Sequence, residues 1–235
     1  MRLNKLLSDW GVCSRRKADQ LITEGRVTVN GETAVLGTQA ELTDTIAVDG
    51  KPVSPAVGDK VYIALNKPRG IECTADPRVK DNVVLFVGHP ARLYPVGRLD
   101  KESEGLIFLT NDGDFADFIM RAANFHEKEY EVRIDRPVTA EFLRRMASGV
   151  DLEGRMTRPA TVTQVQKDRF RIVLTQGMNR QIRRMCEALD CRVLRLVRVR
   201  IMNVALGSLP KGQWRSLTPQ EVAGIYRAGR GRGGE

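Results

Sequence analysis

An arginine and a carboxylate stand two residues apart in the stretch Tyr94-Pro95-Val96-Gly97-Arg98-Leu99-Asp100-Lys101-Glu102-Ser103-Glu104-Gly105-Leu106. Pro95 and Gly97 predict a turn that presents Arg98 and Asp100 together. A carboxylate so placed can act as a nucleophile or offset developing positive charge, provided it stays ionised. Buried alone it would take up a proton instead, so the chemistry also needs a cation beside it. A second chemical stretch is 179–200, where seven arginines meet two acids, Glu187 and Asp190. Arginine's planar fork suits a phosphate, a carboxylate or a base edge. Each group has an ordinary reading as well, a solvated loop acid and a solvated basic helix, and the local pattern does not separate the two.

The elements around these side chains must position them. Leu106-Ile107-Phe108-Leu109, closed by Thr110-Asn111-Asp112-Gly113, predicts a buried strand directly after the Asp100 loop. Val61 to Asn66 predicts another strand, followed by a turn at Lys67-Pro68-Arg69-Gly70. Residues 74–82 and Gly88-His89-Pro90 read as loops. A helix is expected from Asp114 to Ala122, with Phe115, Phe118 and Ile119 on one face. His126 to Ile134 alternates as a half-exposed strand carrying Tyr130. Thr139 can cap a helix through Met146 that Gly149 ends. Residues 159–175 give two strands, the second reaching Thr175. Gly177 breaks the chain, and Asn179 is expected to cap a helix from Arg180 to Leu189. Its inner face is Ile182, Met185, Cys186 and Leu189; Arg180 and Arg184 lie outward with Arg183 beside them. The next strand is expected to put Val197, Val199 and Ile201 on one side and Arg198 and Arg200 on the other.

Residues 2–50 read as a compact module. Leu3, Leu6, Leu7 and Trp10 recur at helical spacing and Gly11 can end that helix. Ser14 suits the cap of a second helix with Ala18, Leu21 and Ile22 inward, and Gly25 suits its stop. Val27-Thr28-Val29 alternates into Asn30-Gly31, a hairpin-type turn. Ile46-Ala47-Val48 is a second short strand ending in Asp49-Gly50. Arg2, Lys5, Arg15, Arg16 and Lys17 cluster near helix starts, where the helix dipole also favours anions such as phosphate.

Three motifs carry a family resemblance. Gly97-Arg98-Leu99-Asp100 with Ser103-Glu104-Gly105-Leu106, then His126-Glu127-Lys128-Glu129-Tyr130, then Gly177-Met178-Asn179-Arg180-Gln181-Ile182-Arg183-Arg184-Met185 resemble pseudouridine synthases, most of all the branch containing RsuA, RluB, RluE and RluF. The second motif, with Arg200-Ile201-Met202-Asn203, looks most like the RluF group. Residues 2–5, 14–18 and 27–31 resemble the RNA-binding domain of ribosomal protein S-four. Together the likenesses cover nearly the whole chain. They imply an α+β pseudouridine synthase fold on a mixed, mostly antiparallel sheet, preceded by a small RNA-docking domain. They also imply isomerisation of a uridine in ribosomal RNA, in the large subunit near the peptidyl-transferase centre, by one aspartate with no metal or cofactor.

By the same resemblance Asp100 is that aspartate and Arg183 its cationic partner. Whether Asp100 attacks the sugar, attacks the base or stabilises an oxocarbenium-like species stays open. The uridine must be extruded from folded RNA, which costs a few kcal/mol. Arg98 would insert where the base leaves the stack. Tyr130 would stack on the flipped base, worth about 1–3 kcal/mol, and its hydroxyl could take the proton from ring carbon five. Leu174 would line the pocket. Arg180, Arg184, Arg2, Lys5, Arg15 and Arg16 would hold RNA. Lys67 matches a family lysine beside the aspartate loop, with an ordinary turn lysine as the competing reading. The alternatives are a small-subunit rRNA or tRNA synthase, a non-catalytic RNA-binding protein on the same scaffold, and a glycosylase that cleaves without rejoining.

Composition agrees with a polyanionic partner. The 235 residues carry 38 Lys plus Arg against 29 acids, a formal charge of +9, which favours nucleic acid. With 42% apolar residues the chain can bury a substantial core. The expected division is residues 1–50 for docking, 51–60 as a Pro- and Gly-bearing linker, 61–227 for catalysis and 228–235 as a basic, Gly-rich disordered tail. Cys13, Cys73, Cys186 and Cys191 lack Cys-x-x-Cys spacing, so free thiols rather than zinc ligands are expected. No run of 18 apolar residues occurs and the N-terminus lacks a secretory pattern, so a cytoplasmic protein without a membrane partner is expected, as a monomer.

Overall fold

The computed structural model describes residues 1–55, 58–121 and 125–230. Two compact units emerge: Met1–Lys60 with Asn111–Gly113, and the remaining described residues. No described helix is long and apolar enough to cross a membrane.

In the first unit, α1 (Leu3–Asp9) and α2 (Arg15–Thr23) bury Leu3, Leu6, Leu7, Ala18, Leu21 and Ile22 against one another. The Ser14 hydroxyl accepts from the Lys17 amide at 3.2 Å and caps α2. Four strands, β1 (Val27–Val29), β2 (Glu32–Thr33), β3 (Ile46–Val48) and β4 (Lys51–Val53), pair antiparallel in the order β2-β1-β3-β4. Asn30 and Gly31 both have positive φ, 52° and 88°, as the tight primed hairpin turn requires. The expected linker is corrected at its start: Lys51–Val53 is a strand on β3. Pro52 is tolerated there because β4 is an edge strand, where a missing amide donor costs little.

The second unit is built on a sheet of order β13-β5-β7-β11-β8-β10-β9, with β12 on β11 and β6 on β7. In chain order the elements are β5 (Tyr62–Lys67), α3 (Val83–Val87), β6 (Tyr94–Val96), β7 (Glu104–Thr110), α4 (Gly113–Met120), β8 (Lys128–Ile134), α5 (Ala140–Ser148), β9 (Thr161–Gln166), β10 (Arg169–Leu174), α6 (Gln181–Glu187), β11 (Val193–Ile201), β12 (Val204–Ala205), β13 (Trp214–Ser216) and α7 (Pro219–Arg230). Among the pairings between these strands β7 with β11 is parallel and the rest are antiparallel. The fold is therefore α+β on a mixed, mostly antiparallel sheet.

Strand β7 explains its own sequence. Leu106 and Phe108 enter one core and Ile107 and Leu109 another. A strand covered on both faces reads as an unbroken apolar run rather than an alternation. Full burial of each such side chain is worth about 1.5–3 kcal/mol, so the loop that feeds β7 is anchored to the most deeply packed strand of the unit.

Several expectations need adjusting. Helix α3 falls between the two expected loops, where no element was expected; the Asn82 side chain caps it at 2.8 Å from the Leu85 amide and Gly88, at φ 62°, closes it. Helix α4 ends at Met120, and Ala122 lies outside the described residues. His126 precedes β8 rather than opening it, and its ring nitrogen lies 2.9 Å from the Phe118 carbonyl. Helix α7 continues to Arg230, inside the stretch expected to be disordered, and 231–235 lie outside the described residues.

Candidate active site

The Asp100 loop is pinned on both sides of the carboxylate. Gly97 turns the chain at φ 75°. The Leu99 side chain is buried and its amide faces Cys73 Sγ at 3.3 Å. The Ser103 amide donates to the Asp100 carbonyl at 2.9 Å, and the Gly70 amide to the Lys101 carbonyl at 2.9 Å. Lys67 is fully buried beneath this region. Its ammonium donates to the carbonyls of Pro68 at 2.8 Å and Ile71 at 2.9 Å, with Lys101 O at 3.5 Å. Burial draws that ammonium below its ordinary value, with Cys73, Glu104 and Asp100 opposing, and the carbonyls accept its protons. Lys67 is thus neither a surface turn lysine nor a group aimed at substrate; it staples the β5 turn to the Asp100 loop.

Two arginines from the start of α6 flank the carboxylate. Asp100 Oδ2 lies 3.9 Å from Arg183 Nε and 3.9 Å from Arg180 Nη1. At that separation the pairing is electrostatic, not hydrogen-bonded, so the carboxylate oxygens remain available to a third party. The Asp100 side chain is 33% exposed, which places it at the edge of the protein interior rather than sealed within it. Arg183 is 9% exposed and spans the gap between α6 and the loop. Its Nη2 donates to Ser103 Oγ at 3.2 Å and faces the Glu102 carbonyl at 3.5 Å, while Nε is buried without a hydrogen-bond partner. Burial first, then the neighbouring charge of Arg180, pulls the Arg183 guanidinium below its ordinary value, with Asp100 opposing.

Asn179 does not cap α6. The capping position is Arg180, in the left-handed region at φ 48° and ψ 32°, without a side-chain cap. The Gln181 side chain reaches back to accept from the Met178 amide at 3.1 Å instead. A non-glycine residue in this conformation costs of order 1–3 kcal/mol and tends to persist where the surroundings over-determine it, which happens at functional sites.

A cavity of about 930 Å³ opens beside Asp100, Arg180 and Arg183, and Arg98, Tyr130, Leu174, Lys128 and Arg198 also line it. Tyr130 is half-buried on β8, between Ile172 of β10 and Arg198 of β11. Leu174, at the end of β10, is buried. Five of the expected catalytic-domain residues therefore converge, with Arg180 joining them. Arg184 does not: it pairs with Glu153 at 2.9 Å and lies outside the cavity lining. Being one residue on from Arg183 turns it about 100° around the helix. In the first unit Arg2, Arg15 and Arg16 are exposed, whereas Lys5 pairs with Asp9 at 2.8 Å.

Known proteins resemble this chain along almost its full length. The RNA pseudouridylate synthase family matches residues 61–188, which hold the whole Asp100–Arg183 arrangement. This chain belongs to that family. The S4 domain family matches residues 1–46. The dual-specificity RNA pseudouridine synthase RluF of Escherichia coli (strain K12) is 49% identical, over 97% of this chain and 79% of that protein. Ribosomal large subunit pseudouridine synthase B of Bacillus subtilis (strain 168) is 38% identical, over 94% of this chain and 93% of the relative. A solved pseudouridylate synthase is 30% identical and superposes with a TM-score of 0.71, covering 96% of this chain and 99% of that one. The chain is thus a pseudouridine synthase, an RNA-binding isomerase that converts uridine in place.

Within the pseudouridine synthase cavity, sequence reasoning missed two residues. Arg198 was expected to share a strand face with Arg200, yet it is 2% exposed. The pairing of β11 with β8 shifts register between Arg198 and Arg200, so the two arginines leave the alternation. Arg200 meets Glu129 at 2.8 Å and Glu127 at 3.2 Å, whereas Arg198 turns inward. Lys128 also lines the cavity, two residues before Tyr130. Its signal was present, since residues two apart on a strand share a face.

Proposed function

We propose that this synthase isomerises a uridine of ribosomal RNA in the large subunit, with Asp100 as the catalytic carboxylate. The observation that carries the reading is the placement of Asp100: a loop pinned on both sides holds it at a cavity edge, flanked by two guanidiniums and bonded to neither. The flanking guanidiniums balance its negative charge while its oxygens stay free to meet the sugar or the base. Arg183 is the buried partner of the acid and Arg180 the exposed one. Tyr130 stacks on the extruded base and Leu174 gives it an apolar wall. Arg98 fills the gap left in the RNA. Arg180 adds a contact to the RNA backbone near the cavity, and the exposed Arg2, Arg15 and Arg16 extend phosphate contacts across residues 1–50. The large-subunit target is supported by the Bacillus subtilis relative, which is by name a large-subunit synthase. The protein acts in the cytoplasm, as a monomer.

The test is pseudouridine mapping across ribosomal and transfer RNA from a strain lacking this protein and from the same strain with it restored. The expected result is loss of at least one large-subunit pseudouridine that returns on complementation. Loss confined to small-subunit RNA or tRNA would move the target. An unchanged map in all RNAs would remove the proposed role.

A further inference from the structure

Two cations of the cavity wall take no part in flanking Asp100. Lys128 and Tyr130 occupy one face of β8, about 7 Å apart at the strand repeat, and both line the cavity. Arg198 is paired directly across from Tyr130 and lines the same space. Its Nε donates to the Leu106 carbonyl at 2.6 Å and its Nη1 to the Arg98 carbonyl at 3.3 Å. Its Nη2 is buried with no partner. The Lys128 ammonium makes no ion pair or hydrogen bond among the described residues. From β10 it faces Leu174, which is apolar. His126 and Tyr130 flank it on its own segment, and Asp100 and Arg183 line the cavity beyond. Burial, reinforced by the like charge of Arg198, draws the Lys128 ammonium down to about 8. A half-buried ammonium without a partner and a buried guanidinium nitrogen without an acceptor are costly, and the cost is recovered when an anion arrives.

We infer that Lys128, with Arg198 Nη2 behind it, is the anion-holding group of the cavity: it receives the charged oxygen of the uracil ring while the base is detached. The inference rests on the reading of this cavity as the uridine site. When the bond between C1′ and N1 breaks, its electron pair leaves with the base. The base is then a monoanion with charge spread over the ring nitrogen and the two carbonyl oxygens, and C1′ is left electron-poor beside the Asp100 carboxylate. Lys128 keeps its proton and forms a charge pair with the ring. When C5 bonds to C1′ the pair of electrons returns to the sugar carbon and the ring becomes neutral. The C5 proton is then lost and N1 gains one, which restores the aromatic ring. A phosphate fits this position less well, because Tyr130 on the same strand face presents a stacking surface for a ring, and the exposed Arg98 and Arg180 in the same lining are the cations better placed to meet a phosphate. An ionic tether also answers why a free base does not escape before it turns.

The test is single-turnover pseudouridine formation by the full-length protein, on ribosomal RNA from a strain lacking it, between pH 6 and 10. The wild-type rate should fall on the alkaline side as Lys128 loses its proton. Lys128→Arg, which cannot deprotonate in this range, should keep the rate within about tenfold and abolish that alkaline fall. Lys128→Met should lose at least about 100-fold, the usual consequence of removing one charge-stabilising group, with unchanged RNA affinity. A Lys128→Met rate within threefold of wild type would overturn the inference. So would an alkaline limb that Lys128→Arg leaves in place, a readout that survives even if the Met variant does not fold. Wild-type protein that forms no pseudouridine would remove the cavity reading along with the inference.

Discussion

At the scale of single residues, the site depends on charges held close without being spent on one another. Arg180 shows the compromise most clearly. It occupies a left-handed conformation at φ 48°, and its guanidinium stands 3.9 Å from Asp100. Glycine would relieve the backbone but remove the cation. Arg180→Gly should therefore leave the melting temperature within a few degrees of wild type, since strain relief of about 1 kcal/mol offsets glycine's greater unfolded-state entropy. The single-turnover rate should fall at least about tenfold, as expected for loss of roughly 1.4 kcal/mol of transition-state stabilisation. A large fall in stability with unchanged rate would show the residue to be architectural. That Asp100, Arg183, Arg98 and Tyr130 meet at one cavity was legible because each sits in a contiguous, specific motif; Leu174 lies outside those motifs, at the end of its strand. Arg198 was not legible. Its burial follows from a register shift in β11, a property of strand pairing that no local pattern encodes. Arg184 lies outward, as the apolar phasing of the helix placed it, and pairs with Glu153 outside the cavity lining, whereas Arg183 turns inward.

At the scale of elements, β7 and β11 bring the loop and the cavity wall together. Their parallel pairing places Gly105 opposite Arg198. Gly105 has φ 102°, and a Cβ there would collide with the Arg198 carbonyl oxygen and come within 2.7 Å of its amide nitrogen. Neither backbone can yield without moving the strand that carries Arg198 or the loop that carries Asp100. Gly105→Ala should cost about 3 kcal/mol or more, through overpacking and an unfavourable backbone region together, measured by urea denaturation. A loss under about 1 kcal/mol would mean that the two strands adjust freely. The apolar run of β7 made its burial readable from sequence, as did the caps at Ser14 and Thr139. Helix α3 was missed because Val83–Val87 is a five-residue apolar run of β-prone residues, for which periodicity carries little information. Strand β4 was missed because Pro52 reads as a linker residue until its place on a sheet edge is known.

At the scale of the molecule, the proposed function gives RNA docking to the first compact unit and chemistry to the second. The first presents Arg15 and Arg16 at the exposed start of α2. Replacing both with Gln should weaken RNA binding across sequences and lower the slope of log affinity against log salt by about 1 for each phosphate no longer neutralised. Unchanged binding and slope would assign docking to other residues. The excess of basic residues predicted a polyanionic partner, and the division into units followed composition only roughly, because strand β4 belongs to the docking unit. The central claim remains that one carboxylate, flanked by Arg180 and Arg183, drives the isomerisation. It is tested most directly by Asp100→Asn, assayed for pseudouridine on unmodified ribosomal RNA with RNA affinity measured alongside. Product formation should disappear while affinity stays within a few-fold of wild type; pseudouridine formed at the wild-type rate would contradict the account.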